Sequence, residues 1–265
     1  MKKTVLVLTL IFALVSMTAC GQSNKQGATN KQGTSGGNAT QKVLTIGTSA
    51  DFPPFESRDP QGNFVGFDID LDNAIAKQLG YKLEVKDMKF DGLIGALQSN
   101  RVDMVSAGMS ATEKRKKNVD FSTPYYHSGE MFITLKNSNI KSIKDLKGQT
   151  VGVQLGTIQE EGAKNLQKTI TFNIKELDDS QTLIQELLSK RTQVAYLDKS
   201  VAEGYISKQG LAGFDDPTSS SPGMALAFPK GSKLVGPVNN VLKKMEANGD
   251  LQKLVDKWIK TKQKQ

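Results

Sequence analysis

The architecture follows from residues 43–107, which begin with Val43-Leu44-Thr45-Ile46-Gly47 and end with Val102-Asp103-Met104-Val105-Ser106-Ala107. Both ends are short apolar runs, a pattern typical of buried β-strands. Between them, apolar residues recur at helical spacing in two places, and a strand-like run at 83–85 separates the two. Repeated β-α units of this kind predict an α/β domain with a largely parallel sheet.

The two helices predicted in this stretch carry start and stop signals. Asp68 precedes the apolar face of the first helix, which Gly80 ends, and Asp91 precedes the second. An aspartate accepts hydrogen bonds from the free amides of a first helical turn, and glycine suits the turn that ends a helix. We therefore expect Asp68 and Asp91 to be N-caps.

The alternation restarts after residue 130 and predicts a second lobe, with a cleft between the two. Strands are predicted at residues 132–135, 150–153, 171–174 and 194–197. Helices are predicted from Ile158, around residues 183–188 and at 200–206, and Ser142 begins a short one. A last strand at residues 224–228 precedes helices at 234–248 and 250–259.

The N-terminus predicts a secretory signal peptide at residues 1–19. Lys2 and Lys3 precede an apolar run at residues 5–17, which is short for a membrane-spanning helix because such a helix needs about 20 apolar residues. Met17-Thr18-Ala19-Cys20 resembles the bacterial lipobox, in which the signal is cut before a cysteine that carries a diacylglyceryl group. We expect Cys20 to be lipidated; the alternative is an ordinary signal peptide followed by an incidental cysteine.

Residues 20–42 are predicted to be a flexible tether. Residues 21–41 hold no apolar side chain larger than alanine, and Asn-Lys-Gln-Gly occurs at both 24–27 and 30–33. Such a segment cannot bury a core, and its reach is about 25 Å. This length suits a domain held just off a membrane by Cys20.

Composition restricts the function classes. The 265 residues carry a formal net charge of +8, and loss of Lys2 and Lys3 lowers it to +6. No basic stripe interleaved with aromatic residues is present, so a nucleic-acid partner is not expected. His127 is the only histidine and Cys20 the only cysteine. With no HExxH, Walker A or GxGxxG motif, we predict no catalytic residue, no metal and no cofactor.

Three segments carry a resemblance to a known family. They are IGTSADFPPFE at 46–56 with GFDIDL at 66–71, SAGMSATEKR at 106–115 continuing to 119–126, and VGVQLGTIQE at 151–160. In order and spacing they resemble the polar amino-acid family (family 3) of bacterial ABC-transporter substrate-binding proteins, and within it the arginine-binding lipoproteins of Gram-positive bacteria. The resemblance covers nearly the whole chain from residue 43.

The resemblance implies a type II periplasmic-binding-protein-like α/β fold, with two lobes, two hinge strands and the ligand in the inter-lobe cleft. Residues 43–129 and 226–265 would form lobe 1, residues 130–225 would form lobe 2, and the hinges would lie near 128–131 and 226–228. Only the resemblance indicates that the C-terminal segment returns to lobe 1.

The same resemblance implies the partners and the location. The partners would be a small-molecule amino acid and the transmembrane subunits of an ABC permease. The protein would be a monomer, anchored through its lipid to the extracytoplasmic face of the membrane of a Gram-positive bacterium.

The resemblance also implies where the amino-acid backbone binds. Arg115 matches the carboxylate-binding arginine, whose planar fork suits a carboxylate better than lysine does. Ser110 matches a hydroxyl on the same carboxylate, with backbone donors from Ala107, Gly108 and Ser110. Without the motif, Arg115 reads as an exposed residue of the charged run at 114–117.

Two groups are expected from the second lobe. Thr157, Ile158 and Gln159 begin a helix, whose N-terminal amides favour an anion; a simple strand-to-helix turn is the alternative. Asp198 matches the acid that pairs with the α-ammonium group. It could equally be the N-cap of the helix that follows, and the two roles are compatible.

The ligand side chain is assigned to four further residues. Phe52 and Phe90 match flanking aromatic positions, although either could be a core residue. Ser49 and Asp51 are the specificity candidates: basic-amino-acid binders of the family often carry an acid at the Ser49 position, and here the acid stands two residues later. Arg115 against Asp51 and Asp198 leaves a charge near −1, which suits a ligand of +1 and favours arginine.

Alternatives remain at this point. Lysine, histidine, ornithine and glutamine are possible ligands, so a receptor for glutamine or another polar amino acid is the first alternative. An enzyme of the dehydratase type on the same fold is a second, against which the single histidine argues. A sensor domain that signals through a separate partner is a third.

Overall fold

The computed structural model describes residues 41–260. The predicted signal peptide, Cys20 and all of the predicted tether except its last two residues lie outside the described residues.

The described part of the chain alternates between strands and helices. The strands are β1 (Val43–Thr48), β2 (Ser57–Arg58), β3 (Phe64–Val65), β4 (Lys82–Asp87), β5 (Met104–Val105), β6 (Asp120–Phe121), β7 (Glu130–Leu135), β8 (Thr150–Gln154), β9 (Asn173–Leu177), β10 (Val194–Asp198), β11 (Leu211–Asp215) and β12 (Ala227–Phe228). The α-helices are α1 (Phe67–Leu79), α2 (Leu93–Gln98), α3 (Glu113–Lys116), α4 (Ile158–Leu166), α5 (Ser180–Leu188), α6 (Lys199–Gln209), α7 (Val235–Ala247) and α8 (Asp250–Val255).

Two five-stranded sheets organise the molecule. The first has the order β4-β1-β5-β12-β6 and the second the order β11-β7-β10-β8-β9. In the first sheet β4, β1 and β5 are parallel, whereas β12 runs antiparallel to both its neighbours. In the second, β10, β8 and β9 are parallel, whereas β7 runs antiparallel to β10 and β11. The α/β prediction is confirmed, but both sheets are mixed rather than largely parallel. We call each sheet with its helices a lobe.

The chain passes between the lobes twice. It leaves the first sheet after β6 and enters the second at β7, and it returns between β11 and β12. Met224 already forms β-bridges to Ser110 and Tyr126, next to the first sheet. The return is therefore complete before residues 226–228, where the second hinge was expected, because those residues already pair within the first lobe.

Helix α1 connects the first sheet to the C-terminal segment. It buries Leu71 and Ile75 completely, and both share a core cluster with Leu242 of α7. Helices α7 and α8 both contact α1. Apolar residues on one face of α1 thus hold the end of the chain against the first lobe.

The predicted start of α1 is wrong. Its N-cap is Gly66, and Asp68 lies inside the first turn, where it is fully buried. Its carboxylate accepts hydrogen bonds from elsewhere, so it is not available to cap the helix.

Asp91 is not an N-cap either, because it lies within a single 3₁₀ turn at Phe90–Gly92 and Gly92 precedes α2. Gly80 ends α1 in the left-handed conformation, as predicted.

We expect Gly66→Ala to destabilise the fold far more than Gly62→Ala. Both glycines have positive φ, +142° and +86°, but a Cβ on Gly66 would lie 2.0 Å from the carbonyl oxygen of Phe55, whereas nothing lies within 4 Å of one on Gly62. Gly62→Ala should cost about 1–2 kcal/mol for the backbone conformation alone. Gly66→Ala should cost more than about 3 kcal/mol, because backbone must move. Chemical denaturation of both variants measures the difference, and equal losses would contradict this account of Gly66.

Candidate functional site

A cavity with ≈ 390 Å³ of empty space lies between the lobes. All twelve residues singled out in the sequence line it, together with three that were not. The lining residues are Ser49, Asp51, Phe52, Glu56, Phe90, Ala107, Gly108, Ser110, Arg115, Gln154, Thr157, Ile158, Gln159, Asp198 and Met224.

Arg115 provides a buried cation in this cavity. It is 8% exposed and lies on α3, which begins after Thr112, whose hydroxyl accepts from the Arg115 amide. Its guanidinium donates to the carbonyl of Ser110 at 2.7 Å and to that of Gly156, in the second lobe, at 2.9 Å. Both acceptors are neutral, so these hydrogen bonds orient the guanidinium without neutralising it. Burial lowers the pKa of Arg115 to about 10, and the group is still charged at neutral pH.

Two aromatic rings contribute to the first-lobe wall. The guanidinium of Arg115 lies 5.4 Å from the centre of the Phe90 ring, within the range of a cation–π contact. The Phe52 ring packs on Gly108, where a Cβ would come within 3.0 Å of it and where φ is +53°. Only glycine therefore lets this ring and the loop that leads to Arg115 approach so closely.

The start of α4 forms part of the opposite wall. Thr157 is the N-cap: its hydroxyl accepts from the Glu160 amide at 3.1 Å and donates to the Gln154 carbonyl at 2.6 Å. Gln159 donates from its side-chain amide to the Glu130 carboxyl. Thr157 and Gln159 are thus held by their own lobe, as a strand-to-helix turn requires, and the anion-binding role of this turn stays a prediction.

Asp198 ends β10 and caps α6. One carboxylate oxygen accepts from the amides of Ser200 at 2.8 Å and Val201 at 3.4 Å, and from the hydroxyl of Ser128 at 3.1 Å. The N-cap role is therefore real, and the same residue lines the cavity. Burial raises the pKa of Asp198 to about 7, against the effect of these hydrogen bonds.

Asp51 connects the two lobes. Its carboxylate accepts from the Ser49 hydroxyl at 2.7 Å in its own lobe. From the second lobe it accepts from the side-chain amide of Gln154 at 3.2 Å and from the backbone N–H of Ser180, at the start of α5. The Ser180 hydroxyl also donates to the Asp51 carbonyl. This inter-lobe contact was not anticipated in the sequence.

Glu56 is the most unusual group at the cavity wall. Its side chain is fully buried, and no donor among residues 41–260 forms a hydrogen bond with either carboxyl oxygen. Burial, followed by the neighbouring carboxyl groups of Asp68 and Asp51, raises the pKa of Glu56 well above its ordinary value. Surroundings of this kind favour the neutral form of an acid.

The structure has the two lobes in contact around the cavity. Lys89 pairs with Asp178 and Lys114 with Glu161, in each case across the cleft and at the surface. A Cβ on Gly156 would lie 3.0 Å from the Cα of Asp91 in the first lobe. The cleft between the lobes is therefore closed in this structure.

Sequence reasoning missed Glu56, Gln154 and Met224. Glu56 and Gln154 both lie within the quoted motifs, close to residues that were predicted to line the cavity. Their positions in the motifs could therefore have identified them. Met224 lies in a segment interpreted as a strand, and its place at the cavity depends on its bridge to Ser110. Nothing local in the sequence indicated that pairing.

Other kinds of site are not found in the described part of the chain. From residue 41 to residue 260, no helix combines the length and apolar character needed to cross a bilayer. Over the same range, no group of three or more histidine, cysteine or acidic side chains is arranged to hold a metal ion.

Solved structures resemble this one closely. An ancestral arginine-binding protein bound to arginine matches with a TM-score of 0.78 and 43% identity, over 82% of this chain and 98% of that one. The ancestral arginine-binding protein bound to glutamine matches with a TM-score of 0.77 and 42% identity, with the same coverage. The two-lobed fold predicted from the motifs is thereby confirmed.

Sequence comparison agrees over a longer span. The arginine-binding extracellular protein ArtP of Bacillus subtilis (strain 168) is 45% identical over 262 residues, which cover 98% of each chain. Residues 44–261 match the family of bacterial extracellular solute-binding proteins, family 3. Proteins of this kind bind a substrate for transport and are not enzymes, in agreement with the sequence analysis. The chain belongs to family 3 of the bacterial extracellular solute-binding proteins.

Proposed function

We propose that the chain is the substrate-binding component of an amino-acid ABC importer, that it binds a basic amino acid, with arginine favoured, and that it delivers it to the permease. The observation that supports this most strongly is the charge pattern of the cavity. One buried cation, Arg115, contributes to the same wall as the carboxyl groups of Asp51 and Glu56, and Asp198 lies on the second lobe. An α-amino acid with a cationic side chain complements that pattern.

The backbone of the ligand is assigned first. Arg115 would bind the α-carboxylate, helped by the Ser110 hydroxyl and by backbone amides of residues 107–110 and 157–159. A bidentate arginine–carboxylate pair is among the strongest polar contacts available in a dry site. Asp198 would bind the α-ammonium group, and because its pKa is about 7, the ammonium cation would favour its ionised form.

The ligand side chain would then extend along Phe52 and Phe90 towards the acidic wall at Ser49, Asp51 and Glu56. Aromatic rings suit both the aliphatic stem and the guanidinium plane of arginine. A basic ligand is supported by relatives that are arginine-binding proteins. Glutamine is the main alternative ligand, because the ancestral arginine-binding protein is also found bound to glutamine.

Residues 43–129 with 226–265 would form one moving body and 130–225 the other, and closure around the ligand would create the surface that the permease recognises. The protein would act as a monomer on the extracytoplasmic face of a Gram-positive membrane, with the signal peptide removed and acyl chains on Cys20. The run at 17–20 and the polar segment after it support the anchor.

A thermal-shift screen of the twenty amino acids on the purified full chain tests the ligand. We expect arginine to raise the melting temperature most, because a ligand that binds only the folded state adds about 4 kcal/mol at a thousandfold Kd. D-Arginine has the same charge and the wrong configuration, and it is the matched control. A larger shift with glutamine than with arginine would contradict the assignment to a basic amino acid.

Arg115→Ala should abolish arginine binding measured by calorimetry, and Arg115→Lys should lose most of it. Removing one member of a buried charge pair typically costs about 2–5 kcal/mol, and lysine cannot reproduce the planar fork. Lys117→Ala, an exposed member of the same basic run, is the control and should bind normally. Unchanged affinity in Arg115→Ala, with the variant folded, would remove Arg115 from the site.

Cys20→Ala should release the protein from the membrane fraction into the medium, because no lipid could then be attached. Immunoblotting of salt-washed membranes and culture supernatant measures the distribution, and Ser23→Ala in the tether is the control. A Cys20→Ala protein that stays on washed membranes would rule out the lipid anchor.

A further inference from the structure

Glu56 is a buried acid at the cavity wall. The loop that carries it folds back on itself: the Phe52 amide donates to the Glu56 carbonyl at 2.8 Å, and the Glu56 amide donates to the Phe52 carbonyl at 3.2 Å. The backbone is therefore fixed next to an aromatic ring that also lines the cavity. A carboxyl group held there, fully buried and without a donor, is either neutral or awaiting a cation.

The charged groups that face Glu56 come from three elements. Asp68 and Asp72 lie on α1, Asp51 lies in the loop after β1, and Tyr125 lies in the segment before β7. Asp68 accepts from the Gly108 amide and from the Tyr125 hydroxyl, each at 2.8 Å. Those two donors, together with the neutral carboxyl of Glu56, stabilise the ionised form of Asp68, whereas no donor among residues 41–260 bonds to the oxygens of Glu56. Of these acids, only Asp51 and Glu56 line the cavity, and Asp51 already accepts hydrogen bonds. Glu56 therefore lines the cavity and has no donor among the described residues.

Asp51 is less suited to hold the distal cation of a ligand. Both of its carboxylate oxygens already accept hydrogen bonds, one from Ser49 and the other from Gln154 and Ser180. Two of these donors belong to the second lobe, so turning Asp51 towards a ligand would loosen the inter-lobe contact. No donor from the second lobe binds the Glu56 carboxyl, so a cation that binds there breaks no inter-lobe contact, although neutral Glu56 also stabilises the ionised form of Asp68 beside it.

We propose that the carboxyl of Glu56 is protonated in the empty site and releases this proton to solvent when the distal cation of a basic amino acid binds beside it. The inference rests on the proposed function and deepens it. The step conserves charge: a neutral carboxylic acid and a cationic side chain become a carboxylate–cation pair and one free proton. A ligand with a neutral side chain leaves the proton where it is.

Two consequences follow from this exchange. Glu56 determines the selectivity between neutral and basic ligands. A neutral carboxyl group tolerates a ligand with a neutral polar side chain, and it ionises to become a counter-ion only when the side chain is cationic. The affinity for basic ligands also depends on pH, because each one that binds must displace a proton. The ratio of basic-ligand to neutral-ligand affinity rises about tenfold per pH unit until Glu56 ionises in the empty site.

The test compares arginine with citrulline, which has the same length and shape but a neutral ureido group. Calorimetry of the full chain at pH 7 in phosphate and in Tris gives the number of protons released, since the two buffers differ in ionisation enthalpy. Both ligands have the same α-groups, so any proton released by Asp198 cancels. We expect arginine to release about one proton more than citrulline does, and the arginine-to-citrulline affinity ratio to rise between pH 6 and pH 8.

Variants assign the proton to its residue. Glu56→Gln should remove the extra proton and lower arginine affinity about thirtyfold or more, while changing citrulline affinity by less than about threefold. Asp72→Asn alters a buried carboxyl of the same cluster that does not line the cavity, and it should keep the extra proton. Asp51→Asn should weaken both ligands by similar factors, since it breaks an inter-lobe contact.

The outcomes separate the two proposals. If arginine binds tightly with the same proton count as citrulline, or if Glu56→Gln retains the extra proton, the inference about Glu56 is wrong and the receptor function stands. If arginine does not bind to the wild-type chain at all, the proposed function fails and the inference with it. If Glu56→Gln does not fold, the two-ligand comparison on the wild-type chain decides the question alone.

Discussion

The buried carboxylate of Asp68 connects the parts of this molecule that have to act together. It lies in the first turn of α1 and accepts hydrogen bonds from the Gly108 amide and the Tyr125 hydroxyl. Gly108 lies in the loop that leads to α3 and Arg115, and Tyr125 lies in the segment that crosses to the second lobe. The next residue, Tyr126, shares a hydrogen bond with the Ser200 hydroxyl of α6 at 2.9 Å. One carboxylate therefore positions the cavity loop relative to both the first helix and the crossing.

The arrangement of charge in the cavity follows from the cost of burying ions. An unpaired charge inside a protein is expensive, so buried acids without donors are neutral. Burial raises the pKa of Asp68 to about 6 and that of Asp198 to about 7, and it raises the pKa of Glu56 well above its ordinary value. Arg115 stays charged because burial lowers its pKa only to about 10, which is still well above neutral pH. The empty cavity thus has a permanent cation at one position and several acids whose charge depends on what binds.

The sequence predicts the lobes and the cavity lining for different reasons. Apolar alternation predicts β1, β8 and β10, because buried strands need apolar side chains whatever their function. The lining residues follow instead from the resemblance of the motifs to a known family, because composition and periodicity alone do not identify them. Every one of those residues borders the cavity, although their contacts with a ligand stay predictions.

The errors have a common physical cause. Asp68 and Asp91 were assigned as N-caps because aspartate before an apolar helix usually is one. Asp68 instead accepts from Gly108, 40 residues away, and the return of the chain before residues 226–228 depends on a bridge between Met224 and Ser110. Glu56 was quoted in a motif but given no role, since its burial comes from packing across the lobe. Local patterns contain no information about partners that are distant in the chain.

The second lobe adds an electrostatic constraint through its helices. The three helices α4, α5 and α6 each follow a parallel strand of the second sheet and begin at the same edge, where the partial positive charge of a helix N-terminus is concentrated. Thr157 and Asp198 cap α4 and α6 from within the lobe. Helix α5 has its own cap, Asp179, but its first amide is bound by Asp51 of the other lobe.

Opening the cleft would expose the Ser180 amide and the Asp51 carboxylate to water. The closed state therefore has a stabilising contact that needs no ligand, and a ligand has to supply only the rest of the free energy of closure.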